Sequence, residues 1–161
     1  MTHAPEPTPA AARRLEAIAR SACADGQSSV LDVGCGNGLL LPFLRQAATA
    51  KLEYRGIDLS SRMVGVAARE YGGDGAVFEA RSFADCAAAG GEYDTIVFNG
   101  SLQFFADPTA TLEQAASLLR GGSASRLVVA HINGGGYVRT ERADNPATVL
   151  SEMPSLAELT S

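Results

Sequence analysis

Asp32-Val33-Gly34-Cys35-Gly36-Asn37-Gly38 sets a carboxylate two residues ahead of three alternating glycines. Val30-Leu31 precede it and Leu39-Leu40-Leu41 follow directly. A buried strand, a tight turn and a helix start are compressed into one short run. Glycine is required where the chain turns with positive φ, or where a ligand lies against the main chain with no Cβ between. A helix opening at such a turn has unpaired N–H groups to offer. The chemistry this implies is non-covalent, the floor of a nucleotide-type cofactor site. Cys35 is read as a small residue that fits the turn, not as a nucleophile.

A second acid, Asp58, stands 20 residues after Gly38. A carboxylate there can accept hydrogen bonds from both hydroxyls of a ribose, strengthened by its charge. The dinucleotide fingerprint Gly-x-Gly-x-x-Gly does not fit, because Leu39 stands where its third glycine belongs. That disfavours a nicotinamide-dependent oxidoreductase.

These residues need elements to position them. Ala11 to Ala24 reads as an amphipathic helix carrying Leu15, Ile18 and Ala19, closed by Asp25-Gly26. Strands are expected at Ser29–Val33, Leu52–Ile57, Ala76–Ala80, Tyr93–Phe98 and Arg126–Ile132. Helices are expected at Leu39–Ala48, with Pro42 near its start, and after Ser60 as N-cap. A further helix follows Asp107-Pro108, with Leu112, Ala115, Ala116 and Leu119 on one face and Gly121-Gly122 closing it. Residues 84–92 are a short helix or a loop. Alternating strands and helices, with strands apolar on both faces, predict an α/β fold. It is a Rossmann-like, doubly wound, mostly parallel sheet of about five strands with helices on both faces. Ligands of such sheets bind beyond the carboxyl ends of the strands. Asp32, Asp58, Asn99 and His131 are placed near such ends.

The run Asp32 to Gly38 resembles motif I of the class I S-adenosylmethionine-dependent methyltransferases. Gly56-Ile57-Asp58-Leu59-Ser60 with Met63 resembles that family's second motif, and Tyr93-Asp94 its fourth strand. Leu118-Leu119-Arg120-Gly121-Gly122 followed by Arg126–Val129 resembles its fifth-strand element, without the usual proline. The resemblance implies S-adenosyl-L-methionine as cofactor and a small-molecule acceptor of its methyl group. It places the methionine part over Asp32, Gly34, Cys35, Gly36, Asn37 and Gly38, and the ribose on Asp58. Leu59 would pack on adenine beside Met63. Relatives carry an acid after strand three. Here Ser82 would meet the adenine edge, Phe83 would flank the ring, and Asn99 completes the set. Where relatives often have a His pair, this chain has Gln103-Phe104, so no catalytic base is assigned. Gln103 could orient the acceptor, with Phe104 and Phe105 as apolar wall. A non-catalytic binding or partner module on the same fold is the alternative.

Residues 1–10, rich in Pro, Ala and Thr, read as a disordered tail, 11–132 as the methyltransferase-like domain, and 133–161 as a polar tail. Leu150 to Leu159 could form one small helix there. The family's two further strands are missing or replaced, so the tail or a second chain, whether another copy or a partner, would cover the strand-five edge, or the product is truncated. Net charge is −5 with 13 scattered basic residues, which argues against nucleic acid. No apolar run approaches the ~20 residues of a membrane span. Cys23, Cys35 and Cys86 lack paired spacing, so free thiols, no metal site and a cytoplasmic setting are expected.

Overall fold

A computed structural model of the chain describes residues 6–131 and 134–155. The sheet holds five parallel strands, β1 (Ser29–Val33), β2 (Glu53–Asp58), β3 (Ala76–Ala80), β4 (Thr95–Asn99) and β5 (Arg126–Ala130). Their order is β3-β2-β1-β4-β5, so the chain reverses direction across the sheet beside β1. All five residues of β1 are buried, because it is central and covered on both faces.

The helices are α1 (Pro9–Ala22), α2 (Leu41–Ala47), α3 (Ser61–Tyr71), α4 (Phe83–Ala88), α5 (Pro108–Ser117) and α6 (Gly134–Asp144). Side chains alternate along a strand, and the two faces carry separate cores. Val30, Tyr54 and Val97 pack with Leu15 and Ala19 of α1 and Leu41 and Leu44 of α2. Leu31, Val33, Ile57, Ile96 and Phe98 pack with Phe83 and Cys86 of α4 and Leu112 and Ala115 of α5. By this alternation Asp32 and Asn99 look to the α1 face.

The boundaries shift for identifiable reasons. Thr8 caps α1, its hydroxyl accepting from Ala11 N at 3.3 Å, so the helix takes in Pro9 and Ala10 as well. Pro42 lies in the first turn of α2, which starts at Leu41 rather than Leu39. Ser60 does cap α3, accepting from Met63 N. On α5 the buried stripe is Thr111, Leu112 and Ala115, continued by Leu118, while Ala116 faces solvent. The segment after β5 is the main departure. Three glycines suggest a polar tail, yet α6 begins at Gly134, anchored by the fully buried Val138. Packing overrides the low helix propensity of glycine. Leu150–Ser155 is not helical, and the rest of the helix expected to Leu159 lies outside the described residues, as do Met1–Pro5 and Ile132.

Candidate functional site

The glycine turn sits over the carboxyl end of β1. Gly34 N and Cys35 N donate to the Ile57 carbonyl at 2.8 and 3.0 Å, fastening the turn to β2. Asp58 completes the fastening. Its Oδ2 accepts from Gly36 N at 2.9 Å and its Oδ1 from Ser60 N at 2.8 Å. The three glycines do different work. A Cβ on Gly34 would collide with the Ser101 side chain, and one on Gly38 would stand 3.0–3.1 Å from Tyr71, Ala67 and Phe78. Both are demanded by packing. At Gly36, with φ +55°, a Cβ would meet only Met63 Cε at 3.6 Å. Gly36 is therefore the glycine whose space is free for a ligand.

One cavity, of about 370 Å³, is lined by Asp32, Gly34, Cys35, Gly36, Asn37 and Asn99. Glu6 and Pro7 close it from the segment before α1. Asp32 is 1% exposed. Its Oδ2 accepts from the Tyr54 hydroxyl at 2.8 Å, and its Oδ1 has no partner. Asn99 Oδ1 is likewise buried without a partner. Two orphaned acceptors on one cavity wall call for a donor, and a cationic one best satisfies a carboxylate. Burial pushes the Asp32 carboxyl up to about 7, against the Tyr54 hydrogen bond that lowers it. Cys35 is buried and burial raises its thiol, so it is no ready nucleophile.

A second cavity, of about 690 Å³, shares Gly34 and runs past Asp58, Leu59, Ser82 and Phe83. Leu59 is 82% exposed, a large apolar side chain left uncovered at the cavity wall. Phe83 is buried, its ring edge-on to Phe98 and Phe105. Ser82 lines the cavity, but its hydroxyl is engaged as the α4 cap. It accepts from Asp85 N at 3.0 Å and donates to Asp85 Oδ2 at 2.6 Å. The far end is walled by Ser101, Phe104, Phe105, Ala147 and Thr148. Ala147 and Thr148 carried no sequence signal, because a loop residue becomes a wall only through packing. The same holds for Glu6 and Pro7, while Tyr54 stands on β2 and lines neither cavity.

Gln103 does not reach this cavity. It is 3% exposed, and its Nε2 donates to the Gly100 carbonyl at 2.9 Å. Its own carbonyl accepts from Leu150 N and Ser151 N, holding the segment after α6 in place. His131 lines neither cavity; its ring lies 6.0 Å from that of Tyr137. Asp94, part of a motif, is at the opposite end of the sheet. Its Oδ2 accepts from Ser28 N and Ser29 N at 3.0 and 2.9 Å, and Arg120 pairs with Oδ1. Burial raises its carboxyl, but these donors prevail and hold it below the ordinary value. Among the described residues no cluster of three or more His, Cys, Asp or Glu could hold a metal, and no helix is long and apolar enough to cross a membrane.

A parallel sheet with an acid-and-glycine turn at its switch point defines a nucleotide-cofactor-binding α/β domain. Comparison with known proteins narrows the class. A family model described as a methyltransferase domain matches residues 6–149. The chain belongs to that family, as a class I S-adenosylmethionine-dependent methyltransferase domain. A ubiquinone biosynthesis O-methyltransferase of Aromatoleum aromaticum is 35% identical over 114 residues, 68% of this chain. The chain spans 46% of that relative's length. Among solved structures, YcgJ from Bacillus subtilis superposes with TM-score 0.68 at 22% identity, over 92% of this chain and 65% of its own. The plantazolicin methyltransferase BpumL, in complex with SAH, gives TM-score 0.66 at 19% identity, over 92% of this chain and 61% of its own.

Proposed function

We propose that the chain binds S-adenosylmethionine across both cavities and transfers its methyl group to a small-molecule acceptor. The observation that carries this reading is the pair of orphaned acceptors, Asp32 Oδ1 and Asn99 Oδ1, beside the open space at Gly36. An amino-acid ammonium satisfies both, so the methionine end fits the smaller cavity. Asp58 lines the larger cavity on the other side of Gly34. Its remaining lone pairs are the fitting acceptors for ribose hydroxyls. The uncovered Leu59 and the rim formed by Ser82 and Phe83 fit an adenine ring, with Met63 at the edge of the turn. Because the Ser82 hydroxyl is engaged with Asp85, we assign it to the rim of that pocket.

When bound, the cofactor supplies a methyl activated by its sulfonium, and the carbon–sulfur electron pair stays on sulfur as the acceptor takes the carbon. The protein's part is alignment and exclusion of water. Phe104, Phe105 and Ala147 make the acceptor end largely apolar, with the exposed Thr148 hydroxyl beside them and the Ser101 hydroxyl committed to the Val33 carbonyl. That lining suits a compact, partly apolar acceptor, consistent with the quinone-pathway and plantazolicin enzymes it resembles. Isothermal titration with S-adenosylmethionine and S-adenosylhomocysteine tests the reading. Micromolar binding of either is expected; no binding of both at millimolar concentration overturns it.

A second reading, a binding module without turnover, draws support from Gln103 being turned into the interior. Cofactor binding with no methyl transfer across a broad acceptor screen would favour it. The residues of β5 are all part-exposed at the sheet edge. We infer that a second copy or a partner covers them, in a cytoplasmic setting that keeps the three thiols reduced. Sedimentation at micromolar concentration giving only monomer would argue against a second copy.

A further inference from the structure

The residue that orients Asp32 lies outside the glycine turn. In the β1–β2 register Tyr54 is opposite Val30, and Gly56 is opposite Asp32. Alternation puts Tyr54, Asp32 and position 56 on one face of the sheet. Glycine at 56 leaves the gap that Tyr54 uses. A Cβ there would stand 2.9 Å from the Tyr54 hydroxyl, and as close to Cys35 Sγ and Phe78. Through that gap the hydroxyl donates to Asp32 Oδ2 at 2.8 Å. Tyr54 is 2% exposed and its ring is packed 5.3 Å from that of Phe78, so the donor is fixed in place. The other oxygen of Asp32 is left buried, unpartnered and facing the cavity.

We infer that Tyr54 is a positioning residue for cofactor binding that acts through Asp32, its hydroxyl fixing one carboxylate oxygen so that the other faces the cofactor's ammonium. This rests on the smaller cavity being the methionine end. Few charges face Asp32. Asp58, at the end of β2, opposes its ionisation. Cys35 in the turn is held neutral by burial, β4 presents Val97 and Asn99, and Glu6 lies across the cavity. The Tyr54 O–H is thus the bond that favours the charged form against burial. Without it, the cavity holds a neutral acid at pH 7.

The test is titration of wild type, Tyr54→Phe, Asp32→Asn and the double variant with S-adenosylhomocysteine between pH 5.5 and 9. Wild-type affinity is expected to rise through about pH 7. Losing a hydrogen bond to a charged group moves the Tyr54→Phe midpoint up by about one pH unit, with about fivefold weaker binding at pH 7 and convergence by pH 9. Asp32→Asn is expected to bind weakly with a flat profile, and adding Tyr54→Phe to it should change affinity less than twofold. A Tyr54→Phe profile parallel to wild type, or an equal cost on the Asp32→Asn background, overturns the inference alone. No wild-type binding at any pH overturns the cofactor reading as well. Should Tyr54→Phe unfold, the Tyr54 hydroxyl proton is followed by NMR in the wild type, where a slowly exchanging signal is expected and rapid exchange with solvent, showing that no bond to Asp32 is held, overturns the inference.

Discussion

Asp32 carries two opposed demands. To receive an ammonium it must be charged, and burial beneath a glycine turn makes charge costly. The folded state therefore favours the protonated acid. The stability this group contributes is present below its unfolded value and is lost as pH rises to about 7. The difference between 3.8 and about 7 corresponds to about 4 kcal/mol. Asp32→Asn is expected to melt higher than wild type at pH 8, with the gap closing towards pH 4, by calorimetry in both buffers. A stabilised variant that binds cofactor poorly is the usual exchange at a binding site. Asp58 is held differently, each of its oxygens accepting from a backbone N–H. If Asp58 holds the ribose as proposed, Asp58→Ala is expected to weaken S-adenosylhomocysteine binding by about 100-fold in isothermal titration, through the loss of two charge-assisted bonds.

At the level of elements, the turn after β1 separates packing from binding. Gly34→Ala forces the Ser101 side chain out of place at a positive φ and should cost about 3 kcal/mol or more in urea unfolding. Gly36→Ala meets no close neighbour, so about 1–2 kcal/mol is expected for its φ alone, while cofactor affinity falls at least tenfold. Equal behaviour of the two variants would refute this division. Asp94 works on the strands from their amino ends, far from either cavity. Asp94→Ala is expected to cost about 2 kcal/mol and leave S-adenosylhomocysteine affinity within twofold of wild type. The Tyr-Asp signature just before β4 is thus a clamp between that strand's amino end and the start of β1, although it was legible only as a family mark. The segment after α6 does the opposite. It has no motif, yet Thr148 walls the far end of the larger cavity, the end proposed for the acceptor. Thr148→Trp should fill that end, abolishing methyl transfer while cofactor binding changes less than twofold.

Over the whole molecule, one sheet carries two cores, and the cleft of the candidate site lies at the carboxyl ends of its strands. The sheet order puts β1 and β4 side by side, so Asp32, opposite Val97, and Asn99, two residues further along β4, share one face of the sheet although 67 positions separate them in sequence. The cleft is closed from both ends of the described chain: Glu6 and Pro7 over the smaller cavity, Ala147 and Thr148 over the larger. Gln103 links that second closure to the strand-four loop through its carbonyl and buried side chain.

The sequence alone determined the five strands, the parallel α/β class, the glycine floor at Asp32 to Gly38 and the acid at the end of β2, Asp58. Period-two burial, capping residues and glycine spacing are local signals, and local signals are readable one residue at a time. Only the tertiary structure decided what stands around that floor. Tyr54 became the partner of Asp32 because strand register left Gly56 between them. Ser82 turned to Asp85 and Gln103 turned inward because neighbouring backbone groups needed them. The helix at Gly134–Asp144 formed because Val138 found a buried place to pack. Each of these rests on contacts between distant segments, which no short window of sequence contains.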